Sequence, residues 1–214
     1  MERKSFDRLF LIVLFCLASS FCQAQQDASV SEVRILKKAE LKKGDLLFHV
    51  PTKSNAITDV TPGMTDHVAI FLGGDSVVEA VGRGVVITLL DSLCRQEGFY
   101  FIGRIHKRKF NRKKSLRNAL SYVGRQYDWL YLSDNDDIYC SELVTISYVD
   151  RKGKPLFALI PMSFHDASGR ITEYWQEFYK RHNMEVPEGQ PGSNPAELSQ
   201  RPIIRIIGRL SPIL

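Results

Sequence analysis

A succession of apolar, β-branched runs between residues 45 and 105, each closed by glycine-bearing or polar punctuation, constrains this chain more than any other feature. DLLFHV (45–50), HVAIFL (67–72), SVVEAV (76–81), VVITLL (85–90) and FYFIGRI (99–105) each have strand length and strand composition. GGD at 73–75 joins the second run to the third and predicts a hairpin. The second half has a different period. SLRNALSYVG predicts a helix capped by Ser115 and stopped at Gly124, another begins near Tyr139 and runs to about Asp150, and ITEYWQEFYKRH (171–182) predicts a third. DSLCRQEG reads as a short helix capped by Asp91, VRILKKAEL as a short amphipathic piece, and IIRII near 203–207 as a last strand. Antiparallel strands first and helices afterwards predict an α+β fold.

The chain opens with Arg3, Lys4 and Arg8, followed by the apolar run LFLIVLFCLASSF and a small residue, Ala24. About thirteen apolar residues fall short of the roughly 20 needed to cross a bilayer, so residues 1–24 read as a signal peptide and 25–214 as a single exported domain. The protein is expected in the periplasm or outside the cell. A lipid on Cys22 is the rival, disfavoured by Phe21 where a small residue is wanted. Losing residues 1–24 leaves 26 basic against 22 acidic residues. The mature length supports a core without metal or disulfide staples.

HKRKFNRKKSLR (106–117) places seven Lys or Arg in twelve residues. A solvated face is the plain reading, with attraction to anionic envelope polymers behind it. Export and the absence of interleaved aromatics exclude a nucleic-acid partner. No metal-ligand spacing and no phosphate-cradling glycine loop occurs, so no cofactor or metal is expected. Trp129 and Trp175 read as core.

Two cysteines, Cys94 and Cys140, survive loss of the signal, and in an oxidising compartment they are equally a disulfide or two thiols. Cys140 in the first turn of a helix would meet unpaired amides that favour a thiolate and can hold an oxyanion. Such a thiolate needs an adjacent base. His106 and His182 lie among cations, His165 in a polar segment and His49 inside an apolar strand, whereas His67 opens a strand directly after a polar turn. With a three-residue loop at Gly73, Gly74 and Asp75, Ala69 faces Glu79, so His67 and Glu79 become diagonal neighbours on one face. A two-residue loop would send them to opposite faces. Glu79 is a lone acid in VVEAV, and such an acid needs a partner. Chemistry alone leaves a thiol hydrolase or transferase and a structural cysteine both open.

GDLLF (44–48), HVAIF (67–71), VVEA (77–80) and YCSELV (139–144), in that order, resemble the permuted papain-like amidases of the YiiX/YaeF group, relatives of the NlpC/P60 cell-wall hydrolases. The tail VPEGQPGSNPAELS (186–199) fits as well, and the resemblance covers about residues 40–205. It implies a circularly permuted papain-like α+β fold, with an antiparallel sheet packed against helices that include the cysteine helix. It implies an exported cysteine hydrolase cutting amide bonds, with peptidoglycan stem peptides as the expected substrate. Residue by residue, it makes Cys140 the nucleophile, His67 the base and Glu79 the orienter. Tyr127, Tyr139 and Ser141 are candidate substrate contacts. Ordinary NlpC/P60 enzymes carry Asp before the cysteine, where this chain has Tyr139. Two alternatives stand beside this one. A lipid-directed acyltransferase or thioesterase shares the permuted order but has an NCEHF-like motif unlike YCSEL. A non-catalytic peptide or amino-acid binding module would use the cleft alone.

Overall fold

Residue alternation along the first half produces a seven-stranded sheet in this computed structural model, which describes residues 33–61 and 63–210. The signal-peptide reading of residues 1–24 lies outside the described residues. Every element belongs to one unit, Ile35–Leu214. The sheet comprises β1 (Ile35–Leu36), β2 (Leu46–Val50), β3 (His67–Gly73), β4 (Ser76–Val81), β5 (Gly84–Leu89), β6 (Phe99–Ile105) and β9 (Ile204–Leu210). Their order is β1-β9-β6-β2-β3-β4-β5, antiparallel except for the β1–β9 pair. A separate two-stranded ladder joins β7 (Ile160–Pro161) to β8 (Pro191–Gly192). The expected amphipathic piece at VRILKKAEL is instead β1 followed by a single 3-10 turn, Lys38–Glu40.

Both faces of the sheet are covered, because alternate residues of each inner strand are apolar on both sides. Leu46, Phe48, Val68, Ile70, Val78 and Ala80 face one cluster, which also holds Leu143, Val144 and Tyr148 of the cysteine helix segment. Leu47, Ala69, Phe71, Val77, Tyr100 and Ile102 face a second cluster, closed by Leu36, Leu90 and Leu93. Arg104 on β6 donates twice to buried Asp45, at 2.7 and 2.6 Å, tying the start of β2 to its neighbour. A third cluster, Val60, Met162, Phe164, Trp175 and Tyr179, joins the 51–66 loop to the later helices.

The helices are α1 (Leu90–Leu93), α2 (Arg112–Ser121), α3 (Cys140–Ser147), α4 (Glu173–Arg181) and α5 (Pro195–Ser199). Their starts differ from expectation wherever a polar side chain has a tertiary partner. Asn111, rather than Ser115, caps α2 by accepting from the Lys114 amide, because the buried Ser115 hydroxyl donates to the Asn111 carbonyl and accepts from the Val149 amide. Leu89, rather than Asp91, precedes α1. α3 stops at Ser147, short of Asp150, because Tyr148 turns extended and Val149 bridges to Pro155. Trp175 is core, but Trp129 is 56% exposed and lies against the Gly82 turn.

Candidate active site

The β3–β4 hairpin turns on two residues, Gly74 and Asp75, since Gly73 pairs with Ser76. A regular ladder from that turn would separate His67 and Glu79 onto opposite faces. It does not, because Leu72 is absorbed in a bulge and pairing resumes at Phe71↔Val77 and Ile70↔Val78. Gly73 takes φ +95°, in the left-handed region, and a Cβ there would strike the Lys43 side chain. The bulge thus restores the parity that a three-residue loop would have provided.

Parity brings the pair together: His67 Nε2 lies 2.8 Å from Glu79 Oε2. Glu79 is buried, yet its carboxyl sits below the ordinary carboxylate value. Burial pushes it up, and the hydrogen bonds of His67 and Thr88 with the charges of His67 and Arg83 outweigh that. With Nε2 engaged, Nδ1 is the ring atom left for another partner, and His67 also hydrogen-bonds to Cys140. Burial alone would lower the imidazole. The Cys140 and Glu79 hydrogen bonds and the attraction of both groups win, raising it from 6.5 to about 10. His67 heads β3, so its ring stands at the end of the strand, where it meets the start of α3.

Cys140 is the first residue of α3 and is 4% exposed. Its own amide and that of Ser141 have no preceding helical carbonyl to bond, so they are free donors at the helix start. Tyr139 precedes the helix in an extended conformation, and its amide donates to Glu142 Oε2 at 3.4 Å. Burial raises Glu142 to about 8, opposed by that amide and reinforced by Asp128. Cys94 and Cys140 are both free thiols, and they attach to clusters on opposite faces of the sheet. The expected rival, a disulfide between them, is therefore not formed. Burial and Asp91 push the Cys94 thiol up to about 11, against Lys38.

A cleft of about 500 Å³, open solvent included, adjoins Cys140. One wall comes from Ile57, Val60 and Asp66, another from Met162, Phe164 and Trp175, and a third from Ser193, Asn194 and Pro195 of the tail. Tyr139 and Ser141 both line it but are nearly inaccessible. The Tyr139 hydroxyl accepts from the Ser193 amide at 3.0 Å, and the Ser193 hydroxyl lies 3.1 Å from that of Ser141. They join the tail to the cysteine helix. Tyr127 stands beside the cleft, packed on Trp129 with ring centroids 4.8 Å apart, and hydrogen-bonds to Tyr131.

Three groups at this site escaped the sequence reading. Tyr131 lines the cleft at φ +54°, a backbone state that a tyrosine seldom adopts. Buried Asp128 holds it there, accepting from the amides of Leu130 at 2.8 Å and Leu132 at 2.6 Å. Asp66, next to His67, accepts from His49 at 2.6 Å and from Asn55 at 2.6 Å, while the other His49 nitrogen lies 2.6 Å from the Glu97 carbonyl. His49, read from the sequence only as a histidine inside an apolar strand, clamps the cleft loop. The Asp–His step at 66–67 and the Asx-turn former in QYDWL were the available signals.

A cysteine helix packed on an antiparallel sheet, with the histidine strand earlier in the chain than the cysteine, defines a papain-like protein of permuted order. The chain belongs to the permuted papain-like amidases of the YaeF/YiiX, C92 family, whose model matches residues 40–208. A relative from Escherichia coli strain K12, described as "probable lipoprotein peptidase YaeF", is 33% identical over 85 residues. That match spans 39% of this chain and 31% of the relative, so the chain covers less than a third of that protein's length. Among solved structures, the metalloprotein yiiX of Escherichia coli O157:H7 shares the fold at a TM-score of 0.64 and 20% identity, over 80% of this chain and 97% of that one. Among the described residues here, no group of three or more His, Cys, Asp or Glu is gathered to hold a metal ion. Nor is any described helix long and apolar enough to cross a membrane.

Proposed function

We propose that Cys140, His67 and Glu79 act as nucleophile, base and orienter in the hydrolysis of amide bonds in cell-wall peptides. The reading rests on one observation: Glu79 occupies Nε2 of His67, which leaves Nδ1 for Cys140. With His67 raised to about 10, both ring nitrogens carry protons near neutrality, and the facing sulfur is the acceptor. Sγ attacks the carbonyl carbon, and the amides at the start of α3 hold the oxyanion. As the C–N bond breaks, Nδ1–H passes to the leaving amine, giving a thioester. Water then gives a proton to Nδ1, attacks the thioester, and the C–S bond breaks to release the acid.

The N-terminal basic and apolar run, together with the lipoprotein description of the relative, supports export of a domain comprising residues 25–214. A second reading, hydrolysis or transfer of a lipid acyl group, is favoured by the apolar cleft walls at Ile57, Met162, Phe164 and Trp175. The test compares wild type with Cys140→Ala on muropeptides and on acyl esters. Release of muropeptide fragments by wild type alone supports the peptide reading, and release from esters only moves the assignment to lipid. Rapid iodoacetamide labelling of Cys140, slowed in His67→Ala, is expected near neutral pH.

A further inference from the structure

The tertiary structure adds a second basic segment to the run at 106–117. Asn111 donates its amide to the Val149 carbonyl at 2.9 Å, and Asn118 reaches the Ser147 carbonyl at 3.0 Å. The turn at 150–154 is thereby held against the start of α2, where Lys114 Nζ stands beside Gly153. Arg151, Lys152 and Lys154 join the seven cations of the run, and all ten are exposed. Among the described residues no salt bridge takes up any of them. The single acid of the two segments, Asp150, accepts from the amides of Lys152 and Lys154 in its own turn.

This arrangement opposes the protein's own electrostatics. The first turn of α2 holds Arg112, Lys113 and Lys114 and no acid, although a helix start is already positive and prefers anions. Ten exposed cations against the one carboxylate of Asp150 leave a surface complementary to an anionic partner. A concavity open to solvent lies among Lys107, Phe110, Asn111, Arg112 and Arg151. Phe110 is buried and stacked on Tyr148, so no exposed ring is offered to nucleobases. Export, as proposed above, brings this face to the headgroup surface of a membrane.

We propose that this face docks on the anionic headgroup surface of a phospholipid bilayer, through charge alone. α3 sets the geometry: Cys140 begins it and the basic turn follows its other end, about 12 Å along the axis. Docking therefore leaves the cleft free to work on material away from the bilayer. The inference does not depend on which bond Cys140 cuts.

The test uses the full chain with two kinds of vesicle, one of phosphatidylcholine and one in which about a third of the lipid is phosphatidylglycerol. The N-terminal run contributes to both, so the readout is the ratio of the two affinities. At about 50 mM salt the ratio is expected to exceed roughly tenfold, collapsing toward one near 0.5 M as charges are screened. Reversal of Arg108, Lys109, Lys113 and Lys114 to Glu should also bring it to one. Reversal of Lys53, Arg95, Lys180 and Arg181, equally exposed but elsewhere, should preserve it. A wild-type ratio near one, an equal loss in both variants, or capture by soluble polyphosphate without capture by anionic vesicles would each overturn the proposal. Thermal unfolding of both variants identifies loss of fold, and Arg108→Gln with Lys109→Gln, a milder change, should give a partial fall in the ratio.

Discussion

At the scale of single residues, His67 and Glu142 carry the clearest consequences. His67 is raised above its ordinary 6.5, so the charged ring contributes stability in full below pH 6.5 and loses it as pH rises through about 10. The same ionisation should close the alkaline side of the kcat/KM profile near pH 10. Glu79→Gln removes one of the groups holding the proton on. It is expected to lower kcat/KM by about 10- to 100-fold and to draw the alkaline limb at least about one pH unit toward neutrality. A lower rate with an unmoved limb would assign Glu79 to packing alone. Glu142 has the opposite sign: its folded value of about 8 exceeds its ordinary 4.5, so the fold loses stability as pH rises between them. Glu142→Gln keeps an acceptor for the Tyr139 amide without the charge. Its melting midpoint, measured against wild type, should gain steadily between about pH 5 and 8.

Among the elements, the β3–β4 hairpin shows how a site can be legible while its scaffold is not. The strands and the lone acid of VVEAV are visible as runs and as an exception to them, but the loop length stays open between two and three residues. Two turn residues plus a bulge give the same parity as three turn residues, and sequence alternation cannot separate the two. The bulge relies on Gly73 at φ +95° with Lys43 packed where a Cβ would go. Gly73→Val should destabilise the fold by about 1–3 kcal/mol in urea unfolding. Where the folded fraction is held constant, its Cys140 labelling should also slow, because the hairpin can relieve the strain by slipping to the regular ladder, which parts His67 from Glu79. Labelling at the wild-type rate would show that the bulge survives without glycine. Helix starts failed for a different reason. Ser115 is a good cap in isolation, but its hydroxyl bonds to Val149, 34 residues away, which no local pattern reveals.

Across the whole molecule, the cleft is assembled from segments far apart in the chain: the 51–66 loop, the 128–131 loop, α3 with Tyr139 before it, and the tail around Ser193. Asp128 is the fastening for one of them. Asp128→Ala frees the Leu130 and Leu132 amides and lets Tyr131 leave its left-handed conformation. KM for a cleaved substrate should rise at least about tenfold, while iodoacetamide labelling of Cys140 changes little, because the His67 pair is built on the sheet. Equal losses in both measurements would show that the loop supports the thiol itself. The sequence by itself determined the strand runs, the α+β class, the order of His67 before Cys140 and the presence of a lone acid in need of a partner. These follow from alternation, from the cost of burying an acid without a partner, and from motif order, all of which are local or ordinal properties. Only the tertiary structure decided that Cys94 and Cys140 lie on opposite faces, that the tail walls the cleft, and that two basic segments share one surface. Those depend on which distant groups meet, and proximity in space is set by packing and hydrogen bonds between segments that the one-dimensional pattern does not relate.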